Sequence, residues 1–268
     1  LVTHSPSPPT QLAKSQSGPS PSLSLNESLA SDVQRGKNKP IILYNPLAWK
    51  RTEIIRLKVS RQDLLVVDKN GGRVPMQINA WPQGIDNATN PFFELFFEAK
   101  DIAPLGYSTY FLAGATAVDI IPRGKETIVQ STDATPTTIE NQFLQLQFAG
   151  TSGRLSGVTL KSTKNQKPQS LRVDQDLMEY NSYSDPDNGQ TSGGYIFNPD
   201  GSAASLLAPS QPMKVMKVIT GPLVQEVIQV FDATHAQIFR LFNSSDDTAS
   251  NFIQVYRQKE LPNLNCGN

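Results

Sequence analysis

Apolar positions along most of this chain recur with a period of two, and no stretch sustains the period of 3.6 that marks a helix. From 52 to 59 the chain alternates through Ile55, Leu57 and Val59, with Glu53, Arg56 and Lys58 among the polar positions. That pattern predicts a strand with one buried face and one wet face. Ile41-Ile42-Leu43-Tyr44 is a short apolar run stopped by Asn45-Pro46, as a buried strand would be. Further strands are predicted at 64–67, 74–78, 92–99 and 107–112, with breaks at Asn70-Gly71-Gly72 and Pro104-Leu105-Gly106. Asn-Gly between β-branched runs is a hairpin signal. After a polar stretch, Leu144, Leu146 and Phe148 face one way, and Thr151-Ser152-Gly153-Arg154 turns into a strand at 155–160. Later strands are predicted at 213–220, 223–231 and 236–242, around a polar loop at 180–200, and loops of that length inside a sheet protein are usually functional or mobile.

Many short strands without intervening helical patterns predict an all-β fold of antiparallel β-sandwich domains rather than βαβ units. The expected organisation is a disordered Ser/Pro-rich linker at 1–39, a small β-sandwich at 40–113, a polar hinge at 114–136, the first part of a larger sandwich at 137–245 and an atypical tail at 246–268. The linker carries nine Ser and five Pro and no aromatic residue, so it cannot offset the entropy of ordering. Its Ser5-Pro6-Ser7-Pro8-Pro9 could also be a Pro-rich recognition motif.

Charge narrows the partners. Lys+Arg 24 against Asp+Glu 24 leaves no net field to attract nucleic acid or an anionic membrane. No run approaches the roughly 18 apolar residues of a membrane span, and the first residues lack the basic and apolar regions of a signal peptide. The single Cys266 forms no internal disulfide and no Cys-based zinc cluster. His4 and His235 lie far apart in sequence, so no metal site is expected here.

The residues leave several chemistries open. Asp185 with Asp187, and Asp174 with Asp176, have i, i+2 spacing that on a strand would put two carboxylates on one face about 6–7 Å apart. A retaining glycosidase needs such a pair at roughly 5 Å. Asp-Pro-Asp-Asn-Gly is also ordinary turn chemistry, the preferred reading. Tyr195 follows Ser192, Gly193 and Gly194; its phenol could stack on and hydrogen-bond a ligand, or Tyr195, Ile196 and Phe197 could begin a buried strand. Trp49, Trp81 and Phe92, Phe93, Phe96, Phe97 could form a sugar-stacking platform, although core packing is preferred. Asn26, Asn87 and Asn243 each begin a glycosylation tripeptide.

Three segments together resemble the region downstream of the catalytic domain in class II α-mannosidases, glycoside hydrolase family 38, lysosomal and vacuolar branch. They are Ile42-Leu43-Tyr44-Asn45-Pro46-Leu47-Ala48-Trp49-Lys50-Arg51, continued by Pro104-Leu105-Gly106-Tyr107-Ser108-Thr109-Tyr110; Ser192-Gly193-Gly194-Tyr195-Ile196-Phe197-Asn198-Pro199-Asp200-Gly201; and Gly221-Pro222-Leu223-Val224-Gln225-Glu226-Val227. The family usually reads Ser-Gly-Ala-Tyr in the second. The resemblance implies a C-terminal, non-catalytic piece of a retaining α-mannosidase that hydrolyses terminal α-D-mannose in N-glycan turnover, its later sandwich being galactose-mutarotase-like. It implies a catalytic domain, with nucleophile and zinc, outside this chain, so that the chain alone is expected to be inactive and to bind no cofactor. It also implies that Tyr195 reaches a cleft binding mannose-containing glycans, in a lysosome or vacuole. Two departures stand out. Leu25-Asn26-Glu27-Ser28 lacks the flanking cysteines of lysosomal members, and the residues after Phe242 look foreign to the family. The competing expectation is a stand-alone carbohydrate-binding or adhesion sandwich.

Overall fold

A computed structural model describes residues 22–24, 37–80, 92–129, 135–161, 167–187, 189–206, 215–231 and 235–259. The chain is all-β, with several sheets that are antiparallel apart from one edge strand. The first sandwich stacks two sheets. One contains β1 (Ser22–Ser24), β3 (Arg51–Val59), β5 (Met76–Ala80) and β6 (Phe93–Ile102) in the order β1-β3-β6-β5; the other contains β2 (Lys39–Tyr44), β4 (Leu64–Asp68) and β7 (Tyr107–Gly114) in the order β2-β7-β4. Leu57, Leu95, Phe97 and Met76 of the first pack on Ile41, Val66, Tyr110 and Leu112 of the second. Burying each such large side chain stabilises the fold by about 1.5–3 kcal/mol.

The second sandwich also has two sheets. Its first sheet has the order β18-β17-β16-β15-β8: β8 (Lys125–Val129), β15 (Val215–Thr220), β16 (Val224–Val230), β17 (His235–Phe242) and β18 (Gln254–Lys259). Its second has the order β12-β11-β10-β9: β9 (Thr137–Glu140), β10 (Leu144–Phe148), β11 (Leu155–Leu160) and β12 (Gln169–Arg172). Ile139, Leu146 and Phe148 meet Val218, Val227, Phe239 and Leu241 between them. β13 (Met178–Glu179) and β14 (Ser205–Leu206) pair only with each other.

Several expectations change. Within the stretch expected to be a disordered linker, Ser22–Ser24 forms β1, parallel to β3; the rest of 1–36 lies outside the described residues. The 114–136 hinge contains β8, the edge partner of β15, so the first sandwich hands its chain directly into the second one's sheet. Asn70-Gly71 does make a tight reversal, with Gly71 at φ +82° and Val67 bridging Arg73, but the hairpin stops there. Pro75 has no N–H to extend the ladder, and its carbonyl accepts instead from Glu98 N at 3.0 Å, so β5 crosses to the other sheet.

The largest correction concerns the face of β3 expected to be wet. Ile54 and Arg56, with Gln77, Asn79, Glu94, Phe96 and Glu98 of β5 and β6, are buried against the β18-β17-β16-β15-β8 sheet. The polar positions on that face answer each other rather than solvent. Glu94 accepts from Arg56 Nε at 2.6 Å and from Arg240 Nη2 at 2.6 Å, while Arg240 Nε pairs with Glu226. Glu226 also accepts from Asn79 Nδ2 at 2.6 Å. Gln77 bridges the sheets, accepting from Leu223 N at 2.9 Å and Val224 N at 3.0 Å and donating to Val224 O at 3.0 Å. Gly221 packs flat on the Gln77 amide, where any side chain would overlap it. Burial pushes the Glu94 carboxyl up, with Arg240 and Arg56 pulling the other way; burial likewise opposes the Arg240 charge, but Glu226 and Glu94 outweigh it and raise its pKa.

Glu98 closes the edge of this interface. Its carboxylate accepts from Ser245 N at 2.5 Å and from the Ser244 and Ser245 hydroxyls at 2.8 Å each, and Lys100 Nζ lies at 3.1 Å. Burial alone would raise this carboxyl, but those bonds hold it below the usual glutamate range. A folded-state value below the unfolded one adds stability above the unfolded value, and that stability is lost as pH falls through the folded value. Glu98→Gln should therefore lower Tm at neutral pH and flatten its decline below about pH 4, near the unfolded glutamate value. Thermal melts from pH 7 to 3 check this; parallel curves for the two proteins would exclude the latch.

Candidate functional site

The polar loop at 180–200 is an arm standing off the second sandwich, and its cross-braces explain its shape. At its base Met178 pairs with Leu206 and Glu179 with Ser205, and Ser182 bridges Pro199. Higher up, Tyr183 N donates to Asn198 O at 2.8 Å and Ser192 N to Tyr183 O at 2.9 Å. The Ser192 hydroxyl donates to Asn198 O at 2.7 Å and accepts from Asn198 N at 2.9 Å, while Asn198 Nδ2 donates to Gln190 O at 2.7 Å. Gly193 N then donates to Ile196 O at 2.9 Å, closing a turn that presents Tyr195 at the tip.

Tyr195 is fully exposed, at 104%, and beside it Ile196 and Phe197 are 50% and 60% exposed. They do not begin a buried strand. Neither Gly193 nor Gly194 has a left-handed backbone, and a Cβ on either would meet nothing within 4 Å. The glycines thus leave space around the tip instead of relieving a clash within the chain. A braced turn carrying a phenol and two apolar side chains into solvent is suited to insertion into a concave surface on another body.

The other candidates resolve differently. Asp185 accepts from Asp187 N at 3.0 Å, an Asx turn in the exposed arm. Asp174 and Asp176 follow β12 in irregular chain and turn to separate arginines, Asp176 to Arg154 and Asp174 to Arg172 at 3.9 Å. Phe96 and Phe97 are wholly buried on opposite faces of β6, Phe97 against Tyr110 with ring centroids 5.2 Å apart. Trp49 is 61% exposed, its carbonyl held by Asn45 Nδ2 at 2.7 Å, and Trp81 lies outside the described residues. The aromatic residues therefore form no common platform among the described residues. Asn243 is half-buried with its N–H on Leu223 O at 2.8 Å; Asn26 and Asn87 lie outside the described residues, as do His4 and Cys266. Among the described residues no group of three or more His, Cys, Asp or Glu could hold a metal ion. The described residues do not fit a zinc centre. No helix among the described residues is long and apolar enough to cross a membrane.

Sequence reasoning missed the charged set Arg56, Glu94, Glu226 and Arg240. A signal was available for one of them: Arg240 interrupts the otherwise apolar run Ile238 to Phe242, where a solvated charge has no place.

The fold is β-rich throughout the described residues, and the proteins it resembles are glycosidases. Residues 139–264 match the family described as glycosyl hydrolases family 38 C-terminal domain. The chain is 29% identical over 81% of its length to a probable alpha-mannosidase of Arabidopsis thaliana, covering 23% of that protein. It is 32% identical over 81% of its length to lysosomal alpha-mannosidase of Homo sapiens, covering 21%, and 27% identical over 83% to alpha-mannosidase of Canavalia ensiformis, covering 23%. The chain spans between a fifth and a quarter of the length of these relatives. The match running to residue 264 also corrects the foreign reading of the tail, since β18 completes the sheet against β17 there.

Proposed function

We propose that this chain is the C-terminal, non-catalytic part of an α-mannosidase, which supports a catalytic domain in the same parent chain and lends its cleft one loop. The observation that carries this is the arm tip. Tyr195 is presented bare at the end of a cross-braced turn, within a region that matches the C-terminal domain of family 38. The phenol supplies a donor and a flat apolar face for a sugar, with Ile196 and Phe197 seating the tip against the catalytic domain. Terminal α-D-mannose of glycoproteins is the proposed substrate class, and the lysosome or vacuole the proposed compartment, with Asn26, Asn87 and Asn243 as proposed glycan acceptors. Zinc, in this reading, belongs to the catalytic domain and not to this chain.

The purified chain should then hydrolyse no aryl α-mannoside, with or without added zinc. Turnover that scales with the chain and disappears on chelation would overturn the proposal.

A further inference from the structure

A concave feature lies at the turn end of the β10–β11 hairpin. It is a pocket of about 460 Å³ between that turn and the segment leaving β12, within the size range of small-ligand sites. Gln175 fixes its walls. Gln175 Oε1 accepts from Leu155 N at 2.6 Å, and Nε2 donates to Gln229 Oε1 at 2.6 Å and Gln237 Oε1 at 2.7 Å. Gln229, fully buried, donates in turn to Gly153 O at 2.8 Å. The hairpin turn and the segment at 173–176 are therefore tied to one buried amide cluster.

The lining is mostly polar: Arg154, Asp176, Arg172 and Asp174 surround half-buried Val173, while Leu155 beneath them is buried in the core. Two guanidinium and two carboxylate groups cancel, so the pocket favours neither an anion nor a cation. Arg154 and Asp176 hold each other. Arg172 and Asp174 are only loosely paired, at 3.9 Å, with side chains 88% and 85% exposed, and retain most of their hydrogen-bonding capacity. A carboxylate accepts from, and a guanidinium donates to, neighbouring hydroxyls in bidentate fashion. Half-buried Val173 is the apolar contact for the C–H face of a ring.

We propose that this pocket binds a neutral polyhydroxylated ring, one pyranose of a glycan, with Asp174 accepting and Arg172 donating. This assignment is independent of the arm and of any catalytic partner. Saturation-transfer NMR on the full chain tests it, using the methyl α-glycosides of mannose, glucose and galactose together. Transfer to at least one is expected, falling tenfold or more in Asp174→Ala and in Arg172→Ala, with unchanged Tm, and persisting in Tyr195→Phe. No transfer to any of the three would overturn the site. So would transfer that survives both pocket substitutions, transfer lost only in Tyr195→Phe, or displacement by equimolar inorganic phosphate.

Discussion

Arg240→Met should lower the melting temperature by on the order of 10 °C. Removing the guanidinium leaves Glu94 and Glu226, both fully buried, without their shared cation. Stranding buried charge in this way costs about 3–5 kcal/mol, and each kcal/mol moves Tm by about 2–4 °C in a protein of this size. The loss comes from the stranded Glu226 carboxylate rather than from a missing attraction, since Glu94 keeps Arg56. Adding Glu226→Gln to Arg240→Met should therefore restore most of it, because the neutral amide leaves Arg56 and Glu94 as a balanced pair. Calorimetry on the single and double variants checks both halves. An Arg240→Met protein melting within about 2 °C of the parent would show that the charged set contributes nothing to joining the sandwiches.

Tyr195→Phe, made in the complete mannosidase that we propose as the parent, should reduce kcat/KM by about ten- to a hundredfold. That corresponds to losing one hydrogen bond of roughly 1.5–3 kcal/mol to a strongly polar transition state. Thermal stability should not move, since the side chain is wholly exposed within this chain and none of the arm's bracing bonds uses the phenol. Steady-state kinetics beside thermal melts separate the outcomes. Unchanged kinetics would leave the tip as a packing finger for the neighbouring domain.

The period-two patterns were enough to place most strands, because alternation reports directly which side chains share a face. β3, β10, β11, β16 and β17 fall within a residue or two of where they were expected. β8 and β12 were not legible: Lys125 to Val129 and Gln169 to Arg172 are edge strands, almost wholly exposed, and leave no hydrophobic alternation to read. The arm was legible as a long polar loop, and Tyr195 as its notable residue, but its bracing was not. That depends on Ser192 and Asn198 meeting across the turn, six residues apart in sequence, and on Asn181 and Asp200 meeting below.

The sequence by itself determined the all-β class, the two blocks of strands and the residues of the likeness to family 38, since each rests on local order along the chain. Tertiary structure alone decided what the polar face of β3 is for. Arg56, Glu94 and Glu226 look, strand by strand, like charges turned toward water, and the partners that neutralise Glu94 are 38 and 146 residues away from it in sequence. Alternation can say that two groups lie on one face. Whether that face meets solvent or a second sheet is fixed only when the sandwiches dock, because burial and electrostatic compensation belong to the pair of surfaces and to neither one alone.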